Sequence, residues 1–115
     1  MASDFSGERR CAARFPLKVP LSYCEPTSQQ AIYAQSQDIS NEGLSFIADK
    51  EIPPGLHLDI YLHMPDTGEE IYRRARAIWS KALAYGKYRV GVRLESEKLK
   101  AIELALRIIN MRRTL

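Results

Sequence analysis

The sequence predicts a mainly β fold, a sandwich or barrel of short strands, followed by a C-terminal helix. Two observations support this prediction. Between residues 15 and 95, apolar and polar residues alternate in short segments, which are separated by clusters of Pro, Gly, Asn and Asp. After Glu95 the apolar residues recur at spacings of three and four instead, which is typical of an amphipathic helix.

The alternating segments predict the strands in chain order. The clearest alternation is that of Leu56, Leu58, Ile60 and Leu62 with polar neighbours, because side chains in a strand point to opposite faces in turn. In the first segment, Pro20 favours the edge of a sheet, since proline cannot donate a ladder hydrogen bond. The predicted strands occupy residues 17–24, 31–39, 44–47, 56–63, 71–81 and 88–95.

The helix is predicted from Ser96, which can act as an N-cap, to the last residue. It carries two apolar stripes on nearly opposite sides. One stripe is expected to cover the barrel, and it consists of Leu99, Ile102, Leu106 and Ile109. The other is expected to face outward, and it consists of Leu104, Ile108, Met111 and Leu115. We interpret the outward stripe as a homodimer or protein-docking surface, with coverage by the N-terminal arm as the alternative.

Composition narrows the class of protein. The 115 residues, of which 45% are apolar and 27% charged, suit one globular domain. The net charge is +3, and arginines cluster at the start, middle and end of the chain, a pattern that suits phosphate-bearing ligands. Two cysteines without metal-type spacing indicate a reduced, cytoplasmic protein. No apolar run approaches the roughly 20 residues of a membrane span, so we expect no membrane association.

Two short motifs carry the functional signal. Residues Arg9 to Arg14 fit the pattern Arg-Arg-x-x-x-Arg, and residues Asp38 to Gly43 fit Asp-x-Ser-x-x-Gly. In this order and ahead of alternating strands, they resemble the signatures of the PilZ domain family. The later segments 77–79 and 90–94 and the closing helix are similar to the family as well.

This resemblance implies a six-stranded antiparallel β-barrel with a C-terminal α-helix that binds the second messenger cyclic di-GMP. It divides the chain into a flexible arm over residues 1–14, a barrel over residues 15–95 and a helix over residues 96–115. The ligand is expected between the arm and the barrel. The implied role is that of a receptor or adaptor, which signals to an unidentified effector protein controlling motility, biofilm or exopolysaccharide output.

The chemistry of each motif residue fits a guanine nucleotide. Arg10 and Arg14 are expected on guanine, whose N7 and O6 accept two parallel hydrogen bonds, and Arg9 on phosphate. A carboxylate such as Asp38 accepts from the guanine N1–H and amino groups. The remaining predicted contacts are a strand-end hydroxyl, a turn glycine, an aromatic ring and a further charge, supplied by Ser40, Gly43, Trp79 and Arg93.

Other functions are weighed against this one. The first alternative is a ligand-independent PilZ-like interaction module. A nucleic-acid polymer as partner is disfavoured, because Asp38 would repel a phosphate backbone. No nucleophile with a nearby base emerges, so we expect no enzyme, no catalytic residue and no cofactor. His57 and His63 lie about 20 Å apart along one strand, at about 3.3 Å per residue, which is too far for a shared metal ion.

Overall fold

Six antiparallel strands and one helix make up the structure, a computed structural model that describes residues 13–114. The strands are β1 (Pro20–Cys24), β2 (Ile32–Ile39), β3 (Gly43–Ala48), β4 (His57–His63), β5 (Glu70–Ala82) and β6 (Tyr88–Leu94), and the helix is α1 (Ala101–Thr114). Hydrogen bonding closes the strands into a barrel in the order β1-β2-β3-β6-β5-β4. The predicted six-stranded antiparallel barrel with a C-terminal helix is therefore confirmed.

Alternation along each strand fills the barrel interior. On β4, for example, Leu58, Ile60 and Leu62 are each 1% exposed, whereas the residues between them face outward. Burying one fully enclosed aliphatic side chain stabilises a fold by about 1.5–3 kcal/mol. The larger inward side chains of the other strands include Leu21, Ile39, Leu44, Phe46 and Val90.

The segment before β1 is fixed by a buried hydroxyl. Ser36 Oγ accepts from the Val19 amide at 2.8 Å and donates to the Leu17 carbonyl at 2.6 Å. It thus supplies the hydrogen bonds that a regular ladder would otherwise provide. The edge position expected for Pro20 is wrong, because β1 pairs with β2 on one side and β4 on the other. Proline is accommodated here as the first residue of the strand.

The helix begins at Ala101 and not at the predicted Ser96. Residues 96–100 cross the end of the barrel instead, where Ser96 Oγ accepts from the Arg74 amide and the Leu99 amide donates to the Asn41 carbonyl. The Asn41 side chain, which comes from the β2–β3 turn, accepts from the Ala101 amide at 2.9 Å. A side chain 60 residues away therefore caps the helix in place of Ser96.

Leu99 is buried as predicted but lies before α1, and within the helix the two stripes are the reverse of the prediction. The face on the barrel contains Ala101, Leu104, Ala105 and Ile108, all of which are buried. Ile102, Leu106 and Ile109 are 65%, 56% and 46% exposed. The proposed homodimer surface of Leu104, Ile108, Met111 and Leu115 is thus wrong: two of its members lie in the core, Met111 is partly buried, and Leu115 lies outside the described residues. Two of these residues are alanines, which add little to an apolar stripe, so apolar spacing alone does not reveal this face.

Hydrogen bonds from Arg107 hold α1 to the β4–β5 loop. Arg107 donates two hydrogen bonds of 2.9 Å to the Asp66 carboxylate and one of 3.1 Å to Thr67 Oγ1. Bidentate pairs of this kind fix orientation as well as distance. In the part of the chain that the structure describes, no helix is long and apolar enough to cross a membrane.

Candidate functional site

A row of four side-chain positions crosses the outside of the barrel on strands β2, β3, β6 and β5. The strand registers pair Asp38 with Ser45, Ser45 with Gly91, and Gly91 with Trp79. Neighbouring strands lie about 4.8 Å apart, so the row is about 14 Å long between its end Cα atoms. We call these four positions the bulge row, for the reason given next.

Both ends of the row face outward because of a β-bulge. On β2 the register shifts between Ser36 and Asp38, and on β5 it shifts between Ala77 and Trp79. Ser36 and Ala77 are buried, so uninterrupted alternation would also point Asp38 and Trp79 into the barrel. One extra residue in each strand inverts this phase and turns both side chains outward. Bulges are frequent next to functional sites for this reason.

The Asp38 carboxylate is held by two arginines. Its Oδ2 accepts from Arg89 Nη2 at 2.8 Å, and its Oδ1 accepts from Arg14 Nη2 at 3.3 Å. Arg89 also contacts Ser45 Oγ at 3.3 Å and is therefore fixed from two sides. The Arg14 side chain is 56% exposed, whereas that of Asp38 is only 18% exposed. Of the two contacts, the one with Arg14 is the longer and the more open to solvent.

Backbone pairing brings Arg14 to this place. Phe15 and Ile39 form an isolated antiparallel bridge with reciprocal hydrogen bonds of 2.8 and 2.9 Å. In an antiparallel bridge Arg14 lies opposite Ser40 and Pro16 opposite Asp38, so Arg14 and Asp38 are diagonal neighbours on the same side, within reach of a long arginine side chain. The contact between the first motif and the second therefore depends on backbone geometry as well as on charge.

The middle of the row, Ser45 and Gly91, is buried under neighbouring side chains and flanked by guanidinium groups. Gly91 has no side chain, and the Trp79 indole lies over it, so a β-carbon at Gly91 would overlap the ring. Trp79 is 37% exposed and belongs to the outer surface and not to the barrel interior. On β6, Arg89 lies two residues before Gly91 and Arg93 two residues after it, which places both side chains on the outer face. The arrangement suits a planar, anionic ligand.

The sequence profile of the PilZ domain matches residues 8–110 of the chain. The chain belongs to the PilZ domain family. No curated protein matches it significantly in sequence.

Solved structures with the same fold agree with this assignment. The PilZ domain of YcgR from Escherichia coli with c-di-GMP matches at a TM-score of 0.63 and 16% identity, over 90% of each chain. The Bacillus subtilis inhibitor of motility MotI/DgrA matches at a TM-score of 0.61 and 16% identity, over 90% of this chain but only 50% of that one. The PilZ domain of CeSA from a cellulose-synthesizing bacterium matches at 0.54 and 16%, over 86% of this chain and 93% of the other.

The two small residues of the second PilZ motif build the β2–β3 turn. Ser40 is 7% exposed, and its Oγ accepts from the Glu42 and Gly43 amides at 3.3 and 3.2 Å. Gly43 does not have the positive φ that glycine often supplies in turns. It is required because β6 passes so close that a β-carbon would overlap the Val92 carbonyl oxygen. Both residues thus set the path of the chain directly after Asp38.

Among residues 13–114, the structure brings together most of the predicted site residues. Arg14 and Asp38 are in contact, Ser40 and Gly43 form the adjacent turn, and Trp79 lies at the far end of the row. Arg93 lies one outward position from Gly91 on β6 and is 3.8 Å from Glu42. The predicted contacts Arg9 and Arg10 lie outside the described residues.

Three members of the site were missed by sequence reasoning, namely Arg89, Ser45 and Gly91. The signal was present on β6, where Arg89, Gly91 and Arg93 alternate with buried valines. It becomes meaningful only when β6 is known to lie between β3 and β5.

The two histidines have separate acidic partners. His57 Nδ1 lies 2.9 Å from Glu95, and His63 Nδ1 lies 3.2 Å from Glu70. Within residues 13–114, no group of three His, Cys, Asp or Glu side chains is arranged to hold a metal ion.

Proposed function

We propose that this PilZ domain is a receptor for cyclic di-GMP, which it binds along the bulge row without catalysing a reaction. The observation that carries the proposal is the Asp38 carboxylate, turned outward by a bulge and held between Arg14 and Arg89. Family membership supports it, as does the likeness to the YcgR PilZ domain with c-di-GMP.

Guanine can bind the Asp38 carboxylate and the Arg14 guanidinium through different edges. The N1–H and amino groups of the base donate to a carboxylate, and N7 and O6 accept from a guanidinium. In the proposed complex the base edge replaces Arg14 at Asp38 Oδ1, the longer of the two contacts. Arg14 then donates to the opposite edge of the base, while Arg89 keeps the carboxylate oriented through Oδ2.

The phosphates of the ligand require cationic partners. The Arg93 side chain lies on β6 beside the bulge row and is 63% exposed. Arg9 and Arg10 of the first motif precede Arg14 in the chain. Arginine suits this role because its planar fork matches phosphate oxygens with two parallel hydrogen bonds. The indole of Trp79 offers a flat surface for a base at the far end of the row.

Release of Arg14 from Asp38 provides a means of signalling. Ligand binding exchanges an intramolecular contact for contacts with the ligand, and this repositions the Arg14 side chain. An effector protein that distinguishes the two positions would bind them with different affinity, which is the thermodynamic requirement for a switch. We place this function in the cytoplasm and expect its output in motility, biofilm or exopolysaccharide control.

Isothermal titration calorimetry with cyclic di-GMP tests the proposal, with GTP and cyclic di-AMP as competitors for selectivity. We expect selective binding with a stoichiometry of one or two ligands per chain. Arg14→Ala should weaken it by about 10- to 100-fold, because a charge-assisted hydrogen bond contributes about 1.5–3 kcal/mol. Asp38→Ala should weaken it to a similar extent.

Arg112→Ala is the charge-matched control, since Arg112 lies exposed in the last turn of α1. It should bind as the parent chain does. An absence of binding in the folded parent chain would favour the ligand-independent interaction module instead. Equal losses in Arg14→Ala and Arg112→Ala, with no loss in Asp38→Ala, would mean that net charge, and not the bulge row, determines affinity.

A further inference from the structure

A second outer surface of the barrel is lined with aromatic rings. Tyr61 of β4 pairs with Tyr72 of β5, and Ser22 of β1 pairs with both Tyr61 and Tyr33 of β2. The three tyrosines and the serine therefore form one row across four strands. We call it the tyrosine face. It crosses β1 and β4, whereas the bulge row crosses β3 and β6, so the two surfaces lie on opposite sides of the barrel.

The tyrosine rings are accessible and close together. Tyr33 is 80% exposed and Tyr72 is 44% exposed, whereas Ser22 beneath them is buried. The ring centroids of Tyr61 and Tyr72 are 5.1 Å apart at an interplanar angle of 41°. Half of the six tyrosines of the chain lie on this one face. Tyrosine is enriched in protein–protein interfaces, because its ring buries a large area at a small entropic cost.

Carboxylates lie on both sides of the paired rings. Along the two strands, Glu70 is on one side of the Tyr61–Tyr72 pair and Asp59 is on the other. The one cation in these flanking rows, Arg74, is 4.0 Å from Asp59, and His63 faces Glu70. With the histidine neutral, the face has an excess of negative charge on a chain whose net charge is +3.

The nearer carboxylate is already coupled to a ring. The Tyr72 hydroxyl donates to Asp59 Oδ1 at 2.7 Å. This hydrogen bond, together with burial, raises the pKa of Tyr72, so the phenol stays neutral. The negative face of a neutral ring attracts cations.

We infer that the tyrosine face binds an arginine- or lysine-bearing segment of a partner protein. The cationic head lies over the Tyr61–Tyr72 pair, and Glu70 neutralises it. Glu70 is suited to this because its side chain is 60% exposed, and His63 is its one ion-pair contact among the described residues. Arginine fits better than lysine, because its flat guanidinium stacks on a ring while its N–H groups still reach a carboxylate. This surface is independent of the proposed cyclic di-GMP site.

Nuclear magnetic resonance titration of the full chain tests the inference with defined probes. The first probe is the capped peptide Arg-Gly-Arg-Gly-Arg, and its counterparts carry citrulline or glutamate in place of arginine. Citrulline keeps the shape of arginine without the charge. We expect saturable shifts of the Tyr61 and Tyr72 ring signals with the arginine peptide. The citrulline peptide should bind roughly three- to tenfold more weakly, and the glutamate peptide should give no shifts.

Paired variants separate the ring from the rest of the side chain. Tyr72→Leu removes the ring and should weaken the arginine peptide roughly three- to tenfold, whereas Tyr72→Phe keeps the ring and should change affinity less than about twofold. Glu70→Gln should weaken the peptide by a factor similar to that for Tyr72→Leu. Tyr85→Ser, at a tyrosine that is 97% exposed outside this face, is the matched control and should have no effect.

Dispersion of the backbone amide signals in the same spectra reports whether each variant is folded, without reference to cyclic di-GMP binding. The two proposals can therefore fail independently. The inference is overturned if the ring signals of the tyrosine face do not move, or if the citrulline peptide binds as well as the arginine peptide. It is also overturned if Tyr72→Leu, in a folded chain, binds the arginine peptide as tightly as Tyr72→Phe does.

Discussion

The bulge row and the tyrosine face show two different ways of building a surface on one barrel. On the tyrosine face, β1, β4 and β5 pair in an unbroken register, and every outward residue has the phase that alternation predicts. In the bulge row, Asp38 and Trp79 are outward only because an extra residue inverts the phase of β2 and β5. Alternation predicts which residues face outward on a regular ladder, but it gives the wrong phase beyond a bulge.

The two surfaces also differ in charge. Arginines surround a single carboxylate on the bulge row, whereas two carboxylates flank tyrosine rings on the other side. An anionic ligand and a cationic protein segment can thus bind to opposite sides without competing for the same groups.

The largest expected effect is a loss of stability caused by a β-carbon at Gly43, where β3 and β6 lie close together. Gly43→Ala should destabilise the fold by about 3 kcal/mol or more, since the added methyl group would overlap the Val92 carbonyl and force two strands apart. Urea unfolding followed by circular dichroism measures this loss. Gly91→Ala is the matched substitution, because there the methyl group meets the movable indole of Trp79.

We expect Gly91→Ala to remain folded with a red-shifted tryptophan fluorescence, as the ring is displaced into solvent. Equal stability losses in the two glycine variants would contradict the distinction between a backbone clash and a side-chain clash.

The second effect concerns the arginine that sequence reasoning missed. Arg89→Leu should lower cyclic di-GMP affinity roughly tenfold, because Asp38 loses the shorter of its two arginine contacts and its orientation. Stability should change by less than about 1 kcal/mol, since the Arg89 side chain is 38% exposed. Calorimetric titration measures the first quantity and urea unfolding the second. Tyr72→Leu on the opposite face should leave this affinity unchanged, and a loss there would show that the faces are not independent.

The contrast between regular strands and bulges also determines how much of the fold and of the candidate site could be predicted from the sequence. The fold could be predicted, because alternation such as that of Leu58, Ile60 and Leu62 requires no knowledge of neighbours. The two motifs predict that Arg14 and Asp38 bind the same ligand, and the structure has the two side chains in contact. The bulges were not predictable, because nothing in the residues around Asp38 or Trp79 records the extra residue.

The helix shows a second limit. Its two apolar stripes are nearly equivalent in spacing, and the side with Ala101 and Ala105 was overlooked because alanines contribute little to an apolar stripe. The start of the helix was misplaced because its cap, Asn41, is distant in sequence. Arg73 donates to the Lys98 carbonyl, in the segment before α1, and its side chain is only 18% exposed. In each case the decisive contact is between residues far apart in the chain.

A smaller effect is expected at a tyrosine that belongs to neither surface. Tyr85, in the β5–β6 turn, has φ 62° and ψ 32° and is followed by Gly86 at φ 72°. Two successive residues of this conformation form the turn that best matches the twist of a hairpin, but tyrosine is disfavoured there. Tyr85→Asn should raise the free energy of unfolding by about 0.5–1 kcal/mol, since asparagine tolerates positive φ. Chemical denaturation measures the change, and a destabilised variant would mean that Tyr85 makes a compensating contact.

The smallest expected effect is the pH dependence of the ion pairs beside the tyrosine face. Hydrogen bonding to His57 and the nearby Arg76 lower the pKa of Glu95 below its ordinary value. A carboxyl group whose pKa is lower in the folded chain stabilises the fold above the ordinary glutamate pKa of about 4.3, and this contribution is lost as the pH falls through the folded value. Glu95→Gln should therefore lower the thermal midpoint slightly at pH 7 and reduce its fall between pH 5 and about pH 3. If the variant and the parent chain lose stability in parallel over that range, the pair with His57 does not contribute, and the acid sensitivity of the fold must come from other carboxylates.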